Sequence, residues 1–177
     1  TLRSSKNSDG TYNLDISVEG CFEKNTKIKI KSAEKEPVIS AELLPEKGTT
    51  LTNLSVQEWS AEIPNLYELT IVLYKDNKEV EAVRTYYGFK DVKINGEVFL
   101  FNGEAIKFKG VNHHDTHMTK GYAMSLEDME LDVKLMKEYN CNAVRTSHYP
   151  PDPAFLTMCD MYGLYVVDEA DIETHGF

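Results

Sequence analysis

The second half of the chain holds three clusters of side chains that can bind a ligand, coordinate a metal or transfer a proton. They lie at residues 112–115, 146–150 and 168–175, and together they contain four of the five histidines. Each cluster follows a short apolar segment typical of a buried strand. Because chemistry in parallel α/β folds lies at the carboxyl ends of the strands, we expect the three clusters to meet on one rim.

The histidines of these clusters differ in how strongly they indicate function. His148 comes directly after a buried strand and before a Tyr-Pro-Pro segment, whose restricted backbone holds the preceding side chain in a fixed direction. This placement favours a binding role. His113 and His114, taken alone, are equally consistent with loop residues satisfied by solvent.

The third cluster contains a carboxylate and an imidazole that are two residues apart, Glu173 and His175. In an extended segment these side chains point the same way and can share a divalent cation. A solvated acidic loop explains the same residues. The motif alone is therefore weak evidence for a metal site.

Five elements must position these clusters, and their order is β-α-β-α-β. The first helix begins at Ser125, an N-cap followed by acidic residues in the first turn, and keeps an apolar face until Asn140. The second helix ends at Gly163. The predicted elements are strands at 106–111, 142–145 and 164–167 and helices at 125–140 and 154–161. This order predicts parallel pairing, and it suits either a barrel or a doubly wound sheet.

Residues 1–90 follow a different pattern, in which apolar and polar positions alternate in short runs separated by turn residues. No stretch before residue 90 keeps a helical period. The pattern predicts a small antiparallel β-sandwich over residues 1–90 and a separate α/β domain over residues 91–177.

Composition excludes several classes of partner. The net charge is −10 and no window holds a dense Lys/Arg cluster, which argues against nucleic acid and anionic lipid as partners. No apolar run approaches the roughly 20 residues of a membrane span. Cys21, Cys141 and Cys159 form no CxxC pair, so we expect reduced thiols and a cytoplasmic location.

The residues around these clusters resemble glycoside hydrolase family 2. The resemblance is carried by NAVRTSHYP at 142–150, CDMYGLYVVDE at 159–169 and GVNHHD at 110–115. Within the family, DEADIETHG at 168–176 is similar to the β-galactosidase branch. Residues from about 55 onward carry the likeness, whereas residues 1–50 fit in fold and position only.

The resemblance implies an immunoglobulin-like β-sandwich followed by the first three βα units of a (β/α)8 TIM barrel. It also implies part of a retaining β-galactosidase that hydrolyses terminal β-D-galactose residues. Such chemistry needs two carboxyl groups roughly 5 Å apart. In family members these two glutamates come from later barrel strands, so we expect the 177 residues alone to be inactive.

Individual site roles are also implied by the resemblance, position by position. His114 and His148 match histidines that bind galactose hydroxyls, and Arg145 matches the arginine that pairs with the nucleophile. Glu173 and His175 match two protein ligands of the active-site Mg²⁺. The position before His114 often holds arginine in relatives and is a histidine here.

Two other interpretations stay open at this point. One is a non-catalytic carbohydrate-binding or adhesive module in which the sandwich is the functional part. The other is a metal-dependent hydrolase site. Its ligands would be His113, His114, His117, Glu173 and His175. The favoured interpretation predicts as partners a β-galactoside sugar and the rest of a parent chain, and it predicts a homo-oligomer because open sheet edges need cover.

Overall fold

The computed structural model describes residues 1–20, 26–32, 39–43 and 47–172. Contacts divide the chain into two compact units. The first comprises Thr1–Trp59 and Asn65–Ala105, and the second comprises Ser60–Pro64 and the chain from Ile106 onward. The sequence predicts a domain boundary between residues 90 and 91, with the parts on either side folding separately. That boundary stays a prediction.

The first unit contains an antiparallel two-sheet sandwich. One sheet has the order β1-β2-β5 and the other has the order β4-β3-β6-β7. This arrangement confirms the small antiparallel β-sandwich predicted from the alternating pattern. Its strands are β1 (Leu2–Lys6), β2 (Tyr12–Ile16), β3 (Thr26–Ser32), β4 (Ser40–Leu43), β5 (Thr49–Leu54), β6 (Tyr67–Lys75) and β7 (Lys78–Tyr87).

Alternation along the strands builds the sandwich core. Strand β3 buries every second residue and exposes the three lysines between them, because successive side chains of a strand point to opposite faces. Phe89 lies at the centre of the core, where three tyrosine rings meet it edge-on at centroid distances of 5.1–5.6 Å. The buried core comprises Tyr12, Leu14, Ile16, Ile28, Ile30, Ile39, Tyr67, Leu69 and Phe89.

A small antiparallel sheet completes the first unit. Its order is β10-β9-β8, with β8 at Val92–Asn95, β9 at Val98–Phe101 and β10 at Glu104–Ala105. The ring of Trp59 packs edge-on against Phe101 at 5.8 Å. The tryptophan is therefore buried inside the first unit, with 5% of its surface exposed.

The second unit is a three-stranded parallel sheet with two helices. The sheet order is β11-β12-β13, which confirms the predicted parallel β-α-β-α-β arrangement. Cores of this kind are buried against their crossover helices. The elements are β11 (Gly110–His113), α1 (Leu126–Glu138), β12 (Ala143–Thr146), α2 (Pro153–Tyr162) and β13 (Tyr165–Val167).

Helix α1 begins where the sequence predicts. The side chain of Ser125 accepts a hydrogen bond from the backbone of Asp128, whose carboxylate in turn accepts one from the backbone N–H of Ser125. This reciprocal capping box satisfies two otherwise unpaired N–H groups. Lys120 donates to the same carboxylate at 2.6 Å, and this hydrogen bond holds the pKa of Asp128 well below its usual value.

Helix α2 has defined signals at both ends. The Asp152 side chain accepts from the backbone N–H of Ala154 at 2.8 Å, and Pro153 follows at the first helical position. Gly163 ends the helix in the left-handed conformation at φ 81°, where a Cβ would also meet the carbonyl oxygen of Ala61 at 2.3 Å. In the described part of the chain, no helix is long and apolar enough to cross a membrane.

Two cysteines lie in the second unit and neither forms a disulfide with a described residue. Cys159 is fully buried in α2, and burial raises the pKa of its thiol to about 12. A thiol in this state packs as a small apolar group and is unreactive. Cys141 is partly exposed, and Cys21 lies outside the described residues.

The first strand of the parallel sheet is displaced from its predicted position. The sequence predicted a strand at 106–111, whereas β11 runs from Gly110 to His113. The Asn142 side chain accounts for the difference: its oxygen accepts from the Lys109 N–H at 2.7 Å and its nitrogen donates to the Lys107 carbonyl at 3.0 Å. These side-chain hydrogen bonds take the place of strand pairing before Gly110.

Candidate functional site

The parallel sheet has two chemically different faces. The helix face packs against α1 and α2, and its buried cluster includes Val144, Phe155 and Leu164. Because side chains alternate along a strand, Arg145 points to the other side, which we call the open face. The register pairs Arg145 with Asn112 on β11 and with Val167 on β13.

Arg145 is held on the open face by a carboxylate. Its Nε and Nη2 atoms donate to one oxygen of Glu169, Oε1, at 3.0 and 2.6 Å. Its Nη1 atom donates to Oδ1 of Asn112 at 3.3 Å. Contacts from strand β11 and from the segment that follows β13 therefore fix the guanidinium, as expected for the planar donor fork of arginine.

His148 joins the same carboxylate from the loop after β12. Its Nδ1 lies 3.2 Å from Oε2 of Glu169 and 3.3 Å from Nη2 of Arg145. The ring of His114 lies edge-on to the His148 ring at a centroid distance of 5.6 Å. The structure thus brings together the three predicted residues His114, Arg145 and His148, with Asn112 and Glu169; we call these five residues the Glu169 cluster.

Glu169 is, with Asn112, one of two members of the cluster that sequence reasoning did not assign. Hydrogen bonds from Arg145, and then from His148, lower the pKa of its carboxyl below the usual value. Its backbone N–H donates to the Thr146 hydroxyl at 3.1 Å, so its main chain is fixed as well. The alternation of side chains along β13 is the signal that could have indicated Glu169. Val167 is the strand partner of Arg145, and Glu169 lies two residues after Val167.

His113, the neighbour of His114, lies on the helix face. Its ring stacks on Phe155 of α2 at 4.5 Å with an interplanar angle of 11°, and Nε2 lies 3.0 Å from the Asp132 carboxylate of α1. Only 9% of the residue is exposed. His113 therefore joins the two helices to the sheet and takes no part in the Glu169 cluster.

The candidate metal ligands are not brought together among the described residues. His113 and His114 face opposite sides of the sheet, and Nδ1 of His117 accepts backbone hydrogen bonds from Thr119 and Lys120 in its own loop. Within the described ranges, no group of three or more His, Cys, Asp or Glu side chains is arranged to hold a metal ion. The predicted magnesium ligands Glu173 and His175 lie outside the described residues.

Comparison with known families identifies this arrangement. Residues 1–90 match the family model for glycosyl hydrolases family 2, and residues 92–177 match the model for the family's TIM barrel domain. The chain belongs to glycosyl hydrolase family 2. The predicted family is thereby confirmed, and so is the predicted fold, an immunoglobulin-like sandwich followed by the start of a TIM barrel.

The curated proteins similar to this chain include β-galactosidases. The chain is 41% identical over 172 residues to a β-galactosidase from Streptococcus thermophilus, covering 94% of this chain and 17% of that protein. It is 48% identical over 123 residues to one from Psychromonas ingrahamii, covering 69% of this chain and 12% of that protein. The chain thus spans less than a fifth of the length of these relatives.

Solved structures of other glycosidases share the fold. A β-glycosidase from Bacteroides vulgatus matches with a TM-score of 0.79 at 30% identity, covering 96% of this chain and 23% of that one. A β-D-glucuronidase from Dictyoglomus thermophilum matches with a TM-score of 0.81 at 25% identity, covering 96% of this chain and 28% of that one. In a TIM barrel the carboxyl ends of the strands carry the active site, and the Glu169 cluster lies at that end.

Proposed function

We propose that the Glu169 cluster recognises sugar in a β-galactosidase that removes terminal β-D-galactose by a retaining mechanism. The observation that carries the proposal is the convergence of His114, Arg145 and His148 at the carboxyl ends of parallel strands. The identity of 41–48% to β-galactosidases supports galactose as the sugar. The chain supplies positioning groups, and the reaction is an activity of the whole enzyme.

In this proposal the two histidines bind sugar hydroxyl groups. His148 has 49% of its side chain exposed and His114 is exposed beside it, so a ligand can reach both rings. Groups fixed before the substrate binds can stabilise charge that develops on an oxocarbenium-like transition state without reorganising. They would therefore contribute to the rate of the chemical step as well as to affinity.

Glu169 does not fit the role of acid/base catalyst. A general acid in a glycosidase needs a raised pKa, whereas the hydrogen bonds from Arg145 lower the pKa of Glu169. Both of its oxygens also have partners on the protein. We therefore assign the acid/base and nucleophile to carboxyl groups elsewhere in the whole enzyme, with Arg145 contributing positive charge that keeps the nucleophile ionised.

A magnesium ion is part of the proposal through Glu173 and His175. One carboxylate and one imidazole fit part of the shell that Mg²⁺ prefers, which is octahedral and rich in oxygen. Further ligands must come from other residues or water. When bound, the ion would supply positive charge that favours the ionised form of neighbouring carboxyl groups.

Substrate preference tests the proposal directly. The full-length enzyme containing these residues should hydrolyse 4-nitrophenyl β-D-galactopyranoside with a kcat/KM at least about tenfold above that for the corresponding β-D-glucuronide, because the two sugars differ at polar groups that such a site reads. The purified 177-residue chain should give no turnover of either substrate. Preference for the glucuronide, or turnover by the short chain, would contradict the proposal.

A further inference from the structure

Asp115 connects the two loop segments that carry the histidines of the Glu169 cluster. It comes directly after His114, and it bonds to the segment 147–152, which joins β12 to α2. Its backbone N–H donates to the hydroxyl of Tyr149 at 3.2 Å. Its carboxylate oxygen Oδ2 accepts from the backbone N–H of Asp152 at 3.3 Å. One residue therefore holds the segment 147–152 at two points, once through its main chain and once through its side chain.

The other carboxylate oxygen of Asp115 is directed at the helix face. Oδ1 is buried and lies 3.6 Å from Nδ1 of His113. The ring of His113 is itself held by Phe155 and by Asp132. Only 16% of the Asp115 side chain is exposed. The carboxylate thus has one oxygen beside a packed part of the unit and the other on the loop that follows β12.

The spacing of the two histidine rings depends on this connection. The ring of His114 lies 5.6 Å from the ring of His148 and 6.1 Å from the ring of Tyr149, measured between centroids. His114 is the chain neighbour of Asp115, and His148 is the chain neighbour of Tyr149. A bond between Asp115 and Tyr149 therefore limits how far the two histidines can move apart. Such support matters because a displacement of about 1 Å in a reacting group can lower a rate about 100-fold.

We propose that Asp115 is a positioning residue that holds His114 in place beside His148. The proposal rests on the proposed function, in which these two histidines bind sugar hydroxyl groups. Asp115 acts through His114, and its own polar atoms bond to the neighbouring loop and face the packed helix side. Its contribution to the reaction is the orientation of a group that stabilises the transition state.

Removing the carboxylate should lower the rate in the full-length enzyme. We expect Asp115→Ala to reduce kcat for 4-nitrophenyl β-D-galactopyranoside about tenfold, because His114 is then less well placed. Asp132→Ala is the matched control, since it removes the carboxylate that lies 3.0 Å from the other nitrogen of His113 and leaves the segment 147–152 bound. Its kcat should stay within about twofold of wild type. Equal losses of kcat in the two variants would overturn the proposal.

A double substitution separates positioning from a general loss of stability. If Asp115 acts through His114, Asp115→Ala should lower kcat by less than about twofold in a His114→Ala background, because the group that it positions is already gone. A further loss as large as that in the wild-type background would overturn the proposal.

Tyr149→Phe tests the same connection if Asp115→Ala does not fold. This variant removes only the hydroxyl that accepts from the Asp115 backbone and keeps the ring beside His114. We expect it to lower kcat about threefold or more while the unfolding midpoint changes little. An unchanged kcat would overturn the proposal.

Ring proximity can also be read in the 177-residue chain by NMR. A nuclear Overhauser effect between ring protons of His114 and His148 should be present in wild type and in Asp132→Ala, and it should weaken or disappear in Asp115→Ala. His114→Ala and His148→Ala identify the resonances by their loss. An unchanged effect in an Asp115→Ala chain that keeps its circular dichroism at 222 nm would overturn the proposal. No turnover is measured, so failure here is distinct from failure of the galactosidase assignment.

Discussion

The two faces of the parallel sheet use the same residue types for different purposes. On the helix face, His113 is buried against Phe155 and bonded to Asp132, so its polar atoms serve the packing of the unit. On the open face, His148 and Arg145 are half-exposed and meet at Glu169. Since His113 and its neighbour His114 fall on opposite sides of this division, the side a residue faces indicates its role better than its type does.

The largest effect should come from removing the central ring of the helix face. Phe155 is fully buried, and Phe155→Ala should destabilise the second unit by about 4 kcal/mol through lost burial and the remaining cavity. Urea unfolding followed by circular dichroism at 222 nm reports this unit, because both helices of the described part lie in it. Trp59 fluorescence reports the first unit separately. An unchanged helical transition would contradict the packing described for this face.

Adjacent histidines give the sharpest test of the division between faces. His113→Ala should cost about 2 kcal/mol, since it removes a buried stacked ring and one hydrogen bond. His114→Ala should change the free energy of unfolding by less than about 0.5 kcal/mol, as is usual for an exposed side chain. The same helical unfolding transition measures both. Equal costs would mean that the two residues are not separated by the sheet.

A smaller effect should appear in the titration of Glu169. Because Arg145 lowers the pKa of this carboxyl, Arg145→Met should raise it towards its usual value of 4.5. The folded-state pKa lies below the unfolded one, so the contribution of this ion pair to stability is present above about pH 4.5 and is lost as pH falls through the folded value. Carbon-13 NMR of the glutamate carboxyls follows the titration.

The control for that titration is Arg84→Met, which removes an exposed arginine paired with Glu68 in the first unit. Its side chain is 68% exposed, and screening leaves such surface pairs with little effect. Glu169 should titrate as in wild type in this variant. A Glu169 pKa that does not change in Arg145→Met would contradict the claim that Arg145 stabilises the ionised carboxylate.

Sequence patterns predicted the elements that depend on local signals. The capping box of Ser125 and Asp128 and the left-handed Gly163 are encoded within a few residues, and the helices begin and end close to them. The resemblance likewise assigned His114, Arg145 and His148 to one site, and the structure brings them together. These features are predictable because each is carried by a contiguous motif.

Features that depend on strand register were not predicted. Asn142 displaces the first strand by bonding to the backbone 33 and 35 residues earlier in the chain. Glu169 reaches Arg145 across 24 residues. The packing role of His113 on the helix face was not predicted, because the side of the sheet that it faces follows from where β11 begins. Such contacts are set by how parallel strands align, and no local pattern encodes that alignment.

The central claim is that the open face recognises the sugar while the helix face maintains the fold. The most direct test is His148→Ala in the full-length enzyme, measured by kcat with 4-nitrophenyl β-D-galactopyranoside alongside the helical unfolding transition. The account predicts a fall in kcat of about 100-fold or more, as is typical when a fixed polar group that acts in the transition state is removed, with an unchanged unfolding midpoint. An unchanged kcat with only a raised KM, or a loss of stability matching the loss of activity, would contradict it.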